Sequence, residues 1–495
     1  MEIPKKYKSK EIEDRWKERW AETKIYAWDP TRGRDETFVV DTPPPTVSGS
    51  LHVGHLFSYS HPDFVVRYQR MRGKNIFYPI GWDDNGLPTE RRVQNLLNVR
   101  CEPHVPYDPD FKPSRDFGKK DAPTSISRKN FVELCEDVVA EDEIAFKTLW
   151  TRLGISYDWD QEYATVNEHC RGISQLSFIE LFDKGEVYHD KRPVMWDVDF
   201  QTAVAQAEVV DKELSGAYHH INFGVEGTDV QLAVATTRPE LLPACVAVVV
   251  HPDDERYKEY VGKNAVTPLF SVPVPIFADE KADPEKGTGV VMVCTFGDQT
   301  DVEWWRDNAL PLRQILDKRG HLLRVTFGDP GWESLDPDAA NAVYAKLQGR
   351  YVKQARRIIV EEAQAVEGVV SAPPKDTTHA VKFYEKGDRP LELIPTRQWY
   401  TRLLDKKDAL VEQGKKIAWH PEYMFKRYEH WVEGLNQDWC LSRQRYFGVP
   451  IPVWYPIDAE GSIRYDSPIL PDKAAIRYEW YHWVRWLRRI QWYAS

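Results

Sequence analysis

The spacing of apolar positions changes character along the chain, and the first stretch carries the clearest pattern. Residues 36–42, ETFVVDT, read as a short buried strand, followed by a Pro- and Gly-rich loop, PPPTVSGS. Residues 51–71 carry an imperfect helical stripe through Leu51, His55, Tyr59, Val65, Val66, Tyr68, Gln69 and Met71. A break is expected near Pro62, because proline lacks an N–H and collides with the preceding turn. Gly73 is placed to end the helix, and NIFYPIGW at 75–82 reads as the next strand. Strand, loop, helix and strand make a βαβ unit, the opening of a parallel sheet.

Residues 102–130 are polar and Pro-rich and read as an irregular insertion, and 131–185 read as helical. From about 191 short alternating runs take over: QLAVATT, ACVAVVV, VPVPIFA and GVVMVCTF. They predict a compact β-rich domain reaching to about 375. Residues 376–470 return to mixed character, with a helical 399–435 and a strand-like VPIPVWY. No internal repeat is evident.

With 495 residues the chain is too long for one core, so two or three domains are expected. Hydrophobic residues at 42% and charged residues at 29% are ordinary for a globular protein. No apolar stretch has the length of a membrane span, and the N-terminus has no apolar segment of the secretory kind. The six cysteines include no CxxC pair, so neither a disulfide scaffold nor a structural zinc is indicated, and a reducing cytoplasm fits. A formal charge of −11 argues against a generally basic nucleic-acid binder, although a local basic patch remains compatible with it.

His52-Val53-Gly54-His55 sits where the first loop becomes the first helix. Histidines three apart share one helix face, and a helix N-terminus already favours anions. Two imidazoles there can donate hydrogen bonds to a phosphate, and Gly54 leaves room for a flat base to approach the backbone. An HxxH alone is more often incidental; its place after PPPTVSGSL gives it weight. The plain alternative for Asp83-Asp84-Asn85-Gly86 is a turn, which can still carry a functional carboxylate.

Residues 40–56, VDTPPPTVSGSLHVGHL, and 81–90, GWDDNGLPTE, resemble the two successive signature blocks of class I aminoacyl-tRNA synthetases. The resemblance implies ATP-phosphate binding by His52, Gly54 and His55, with the two histidines also catalytic in adenylate formation. It implies that Asp83 holds the α-ammonium of the amino acid. Residues 436–455, NQDWCLSRQRYFGVPIPVWY, resemble a block of the valyl and isoleucyl branches; there Trp439 would close an aliphatic pocket together with Pro43, Pro45 and Thr46. Core packing is the plain alternative for Trp439.

ATTRPE at 235–240 and GTGVVMVCTFGDQTDVEWW at 287–305 resemble the editing domain inserted into branched-chain synthetases. The resemblance implies that Asp301 or Asp298 anchors the amino group of a mischarged residue, with Thr236, Thr237, Arg238 and Thr288 lining the pocket. A solvated loop carboxylate is the plain alternative for both aspartates. TTRPE is similar to the valyl and leucyl forms and SRQRYFGVPIPVW to the valyl and isoleucyl forms, so the valyl branch is the intersection. Editing has a physical reason: an apolar pocket cannot strongly reject an isostere that exchanges a methyl for a hydroxyl, and the valyl enzymes facing threonine are the standard illustration of that limit.

The resemblance therefore implies an α/β fold, a Rossmann-like doubly wound parallel sheet with a β-rich editing insert. The expected division is 1–190 and 376–472 for the catalytic domain, 191–375 for the insert and 473–495 for an atypical Trp-rich tail. It further implies ATP with Mg2+, valine and tRNA(Val) as substrates and partners, no protein-bound metal, no membrane, a cytoplasmic location and a monomer. No KMSKS-like loop occurs in these residues, so the expectation is an incomplete C-terminal half and impaired charging. An editing deacylase, a non-catalytic tRNA-binding relic, and isoleucyl or leucyl specificity are the alternatives. The chain departs from the usual valyl forms at Thr46, at GWDDNG, at Met292 and at Thr295-Phe296-Gly297.

Overall fold

The computed structural model describes residues 6–47, 51–118, 121–385 and 387–476. The loop positions 48–50 and the tail beyond 476 lie outside the described residues. The chain is a mixed α/β protein that divides into two compact units, one formed by 1–185 with 445–495 and the other by 186–444.

In the first unit the order is α1 (Ser9–Thr23), β1 (Thr37–Val39), α2 (Val53–Met71), β2 (Asn75–Phe77), β3 (Gly81–Trp82), α3 (Leu87–Leu97), β4 (Val99–Cys101), β5 (Thr124–Ile126), α4 (Arg128–Leu153), β6 (Tyr163–Ala164) and α5 (Glu168–Asp183). The expected β1–α2–β2 unit is present, its strands parallel with Phe38 opposite Ile76. β3 pairs with β6 and β4 with β5, also parallel. These are three separate two-stranded pairs, not one continuous sheet. Prolines interrupt the ladder: Pro43, Pro44 and Pro45 follow β1, and Pro79 splits the expected 75–82 strand, each without an N–H to donate.

Two helical expectations are corrected. α2 runs through Pro62 without a break. The turn after the proline is tied down: Asp63 accepts from the Ser156 N–H, outside the helix, at 2.8 Å, and pairs with Arg67 of α2 itself at 2.7 Å. The 131–185 stretch is two helices, not one. Gly154, in the left-handed conformation at φ 73°, ends α4, and Asn167 starts α5 by capping the Cys170 N–H at 2.8 Å.

The core of this unit is aromatic. Tyr59 and Val66 of α2, Ile76, Tyr78, Ile80, Trp82, and Phe146 and Trp150 of α4 pack with Ile155 and Tyr157. Trp82 stacks on Trp150 at 5.5 Å between centroids, an arrangement worth about 1 kcal/mol beyond area burial.

The second unit contains β7 (Val187–Asp197), β8 (Thr202–Ala203), β9 (Val209–Val225), β10 (Gln231–Thr236), β11 (Cys245–Val250), β12 (Asn264–Val266), β13 (Pro273–Ala278), β14 (Val291–Cys294), α6 (Gln299–Asp307), α7 (Pro337–Tyr344), α8 (Val352–Ala365), β15 (Val370–Tyr384), β16 (Glu392–Thr401), α9 (Lys407–Gly414), α10 (Met424–Glu433) and β17 (Trp439–Cys440). The four alternating runs of the sequence become β10, β11, β13 and β14. Their sheet has the order β10-β9-β12-β13-β11-β14 with β15 beside β9. All six residues of β11 are buried, as a central strand with both faces covered requires. A four-stranded antiparallel sheet, β17-β16-β7-β8, completes the unit.

The boundary expected at 375 falls inside β15, which pairs with β9 from Val370 to Tyr384. Residues 399–401 are strand, and the helical stretch after them is α9 and α10. VPIPVWY is not a strand, because Pro450 and Pro452 deny it a ladder; Trp454 makes a single bridge to Ile469.

Candidate functional site

In the first unit the start of α2 is built by its two histidines. His52 is the N-cap, and its Nδ1 accepts the Gly54 N–H at 3.1 Å. The His52 N–H in turn donates to His55 Nδ1 at 3.3 Å. Both Nδ1 atoms therefore act as acceptors, which places the proton of each neutral imidazole on Nε2, as a donor. Burial, and then the charge of His52, hold His55 below the usual histidine range. A Cβ at Gly54 would stand 2.9 Å from the His52 ring, so the glycine makes room for the cap itself.

Asp83 is half-buried at the end of β3. Its backbone forms a parallel bridge with Thr46: the Asp83 N–H donates to the Pro45 carbonyl at 2.9 Å, and the Val47 N–H donates to the Asp83 carbonyl at 3.1 Å. Its carboxylate receives the hydroxyls of Thr46 and Thr165 and the Asn85 amide, each at 3.4 Å. Pro43, Pro45, Thr46 and Asp83 are thus brought together. The Tyr59 hydroxyl donates to the Pro43 carbonyl at 2.7 Å. Burial, and then Asp83, push that phenol up to about 12. The histidine pair and the Asp83 turn meet α4 at one ring: Phe146 lies 6.0 Å from His55 and 6.3 Å from Trp82.

Several residues here escaped the sequence reading. Thr165 carries no motif and arrives from a distant element. Glu90 lies inside the quoted GLPTE block, yet only the structure gives it a task. It is buried, and its carboxylate accepts the N–H groups of Tyr446 and Phe447 and a hydrogen bond from Arg445.

The 436–455 block is divided between the units. Trp439, half-buried on β17, pairs with Thr401 in the second unit. Ser442 and Gln444 belong to a buried network there. The Ser442 hydroxyl and the Gln444 amide both donate to Gln398 Oε1, at 2.5 and 3.0 Å, and the Gln444 N–H donates to the Thr202 hydroxyl. The SRQ letters therefore tie β16 to the β7–β8 end of the small sheet.

In the β-rich part, the 235–240 and 287–301 segments meet twice. A Cβ on Gly287 would lie 2.8 Å from that of Ala235, and Arg238 donates to the Gly297 carbonyl at 3.4 Å. Thr236 is buried and its hydroxyl accepts the Arg238 N–H. Thr237 is half-buried, and the Thr288 carbonyl accepts the Tyr257 hydroxyl. Arg238 pairs with Glu240 at 3.0 Å and Glu392 at 2.7 Å, and Arg356 of α8 holds the other side of Glu240 at 2.8 Å. Glu240 is 0% exposed. Burial alone would push its carboxyl up, but Arg356 and Arg238 hold it below the usual range. Asp298 caps α6 through the Thr300 and Asp301 N–H groups. Asp301 answers by accepting the N–H groups of Gly297 at 2.7 Å and Asp298 at 3.3 Å. Burial, and then Asp298, raise the Asp301 carboxyl well above the usual range. Among the described residues no group of three or more His, Cys, Asp or Glu side chains is placed to hold a metal. No helix among them is long and apolar enough to cross a membrane.

The model of the class I tRNA synthetases (I, L, M and V) matches residues 15–108 and 110–473. The chain is 52% identical over 478 residues to the valine–tRNA ligase of Thermobifida fusca, covering 96% of this chain and 53% of that one. It is 51% identical over 478 residues to that of Salinispora tropica, covering 96% and 54%. It is 50% identical over 482 residues to that of Cutibacterium acnes, again 96% and 54%. The chain spans about half the length of the curated relatives it matches. A match over nearly the whole chain shows that this chain belongs to the class I tRNA synthetases.

Proposed function

We propose that the chain is the part of a valine–tRNA ligase that binds ATP and valine and forms valyl-adenylate. The observation that carries this reading is the Asp83 carboxylate, set between the hydroxyls of Thr46 and Thr165 beside the Pro43–Thr46 loop. It suits a ligand ammonium, and relatives identical at about half of the aligned positions are valine–tRNA ligases. A valine carboxylate oxygen attacks the α-phosphorus of ATP. The bond from that phosphorus to the bridging oxygen breaks, and pyrophosphate leaves. His52 and His55 donate from Nε2 to phosphate oxygens as their charge grows, at a helix N-terminus that already favours anions. ATP enters as its Mg2+ complex, with the metal carried by the phosphates. tRNA(Val) is the acceptor, and the parallel pairs of the first unit are read as part of a Rossmann-like sheet.

The β-rich part of the second unit is read as an editing domain that hydrolyses Thr-tRNA. Asp301 is its ammonium anchor, and Thr236, Thr237, Thr288 and Asp298 are its polar surround. Arg238, committed to Glu240 and Glu392, acts by fixing the 236–240 segment. The test of the whole reading is calorimetric titration of the chain with valine and with a non-hydrolysable valyl-adenylate analogue, beside isoleucine and threonine. Binding in the order analogue, valine, then isoleucine is expected; indifference among the amino acids contradicts it.

A further inference from the structure

Thr165 follows β6 and is delivered to Asp83 by strand register. In the parallel pair Gly81 faces Tyr163 and Trp82 faces Ala164, so the next positions opposite one another are Asp83 and Thr165. The Thr165 N–H carries the ladder on by donating to the Trp82 carbonyl at 2.9 Å. The pair starts at a close approach: a Cβ on Gly81 would lie 2.2 Å from the Tyr163 ring, so the glycine seats that ring against β3. A slip of one residue would turn the Thr165 side chain to the opposite face.

The hydroxyl that arrives in this way has its orientation dictated. Thr165 Oγ accepts the Asp84 N–H at 3.2 Å and the Asn85 side-chain amide at 3.0 Å. A hydroxyl has two lone pairs and one proton. The two N–H donors fill the lone pairs, and the proton is left for Asp83 Oδ1 at 3.4 Å. The Asn85 amide reaches the same oxygen, also at 3.4 Å, and the Thr46 hydroxyl reaches Oδ2 at 3.4 Å. The carboxyl group is thus held from both of its oxygens, and on the Oδ1 side by a hydroxyl that is itself fixed by the turn.

We propose that Thr165 is a positioning residue for valine: oriented by Asp84 and Asn85, its hydroxyl aims the Asp83 carboxyl group at the ligand ammonium. The aim at an ammonium rests on the function proposed above. Thr165→Val removes the proton and both lone pairs at nearly constant shape, whereas Thr165→Ser keeps them.

Calorimetric titration of valine, of ATP and of the non-hydrolysable valyl-adenylate analogue into the full chain tests this. Thr165→Val should bind valine and the analogue about tenfold more weakly than the parent and keep the parent's ATP affinity, and Thr165→Ser should stay close to the parent for all three. In an Asp83→Asn background, Thr165→Val should cause no further loss of analogue binding, because a hydroxyl that acts through Asp83 has nothing left to aim. A general packing role would instead weaken the analogue by the same factor in both backgrounds, and that result overturns the proposal. If urea unfolding shows that Thr165→Val does not fold, Thr165→Ala set against Thr165→Ser makes the same comparison. Valine binding weakened by Asp83→Asn but parental in Thr165→Val keeps the proposed function and removes the positioning role. Parental binding in both variants removes the proposed function, and the positioning role with it.

Discussion

Glu90 of α3 accepts the backbone N–H of Phe447 at 3.0 Å, across 357 positions of sequence, and the neighbouring Tyr446 N–H at 2.7 Å. The Gly86 N–H closes the arrangement by donating to the Phe447 carbonyl at 3.3 Å. One buried carboxylate thus joins the GLPTE and RYFG letters inside the first unit. Glu90→Ala leaves two backbone donors and the Arg445 guanidinium short of an acceptor. It should destabilise the chain by about 3 kcal/mol in urea unfolding, while Glu90→Gln, which keeps an acceptor oxygen, should cost markedly less. Equal and small losses would contradict the assignment.

The Glu240 network makes stability depend on pH. Because Arg356 and Arg238 hold Glu240 below its ordinary 4.5, its contribution is present above that value and is lost as pH falls through the lowered one. Glu240→Ala should cost about 2–3 kcal/mol at neutral pH, since it removes the partner of the partly exposed Arg356 and leaves Arg238 with Glu392 alone. The deficit against the parent should shrink on acidification below pH 4.5, read by denaturant midpoints.

Gly54 tests the histidine cap. Its missing Cβ would lie 2.9 Å from the His52 ring, so Gly54→Ala should push His52 off the cap. The expected outcome is a stability loss of about 1 kcal/mol, the scale of one lost cap, together with weaker ATP binding by calorimetry. Unchanged ATP affinity would separate the cap from phosphate binding.

Asp301 carries the editing reading. The ionised form is the one that pairs with an ammonium, and its pKa is raised. Preference for threonyl over valyl esters should therefore increase as pH rises through that raised value. Asp301→Ala should abolish the preference; a variant with parental discrimination would return Asp301 to a purely structural place in the α6 cap.

Much of this was legible in the sequence, for definite reasons. β10, β11, β13 and β14 each carry enough apolar residues to be read locally, and His52 and His55 stand out because their HxxH follows the PPPTVSGSL loop in a block that resembles a family signature. Asp83 is singled out by the resemblance of GWDDNGLPTE, while its Asp, Asn and Gly neighbours by themselves spell only a turn. What stayed hidden depends on tertiary structure. Nothing local tells that α2 survives Pro62, because the Ser156 N–H that Asp63 accepts comes from outside the helix. Thr165 reaches the Asp83 turn from an element with no motif, and the long antiparallel pairing of β9 with β15 carries the second unit past the change of texture at 375. The arginine of TTRPE read as a ligand contact because charge is visible in sequence, whereas its carboxylate partners, one of them 154 residues away, are not.

The central claim is that Asp83 holds the ammonium of valine. Calorimetric titration of valine into the parent chain and into Asp83→Asn, at pH 7 and matched ionic strength, tests it most directly. A charge-assisted hydrogen bond is worth about 1.5–3 kcal/mol, so the account predicts affinity for valine at least about tenfold weaker in Asp83→Asn, with ATP affinity unchanged. Valine binding equal in the two proteins would contradict it.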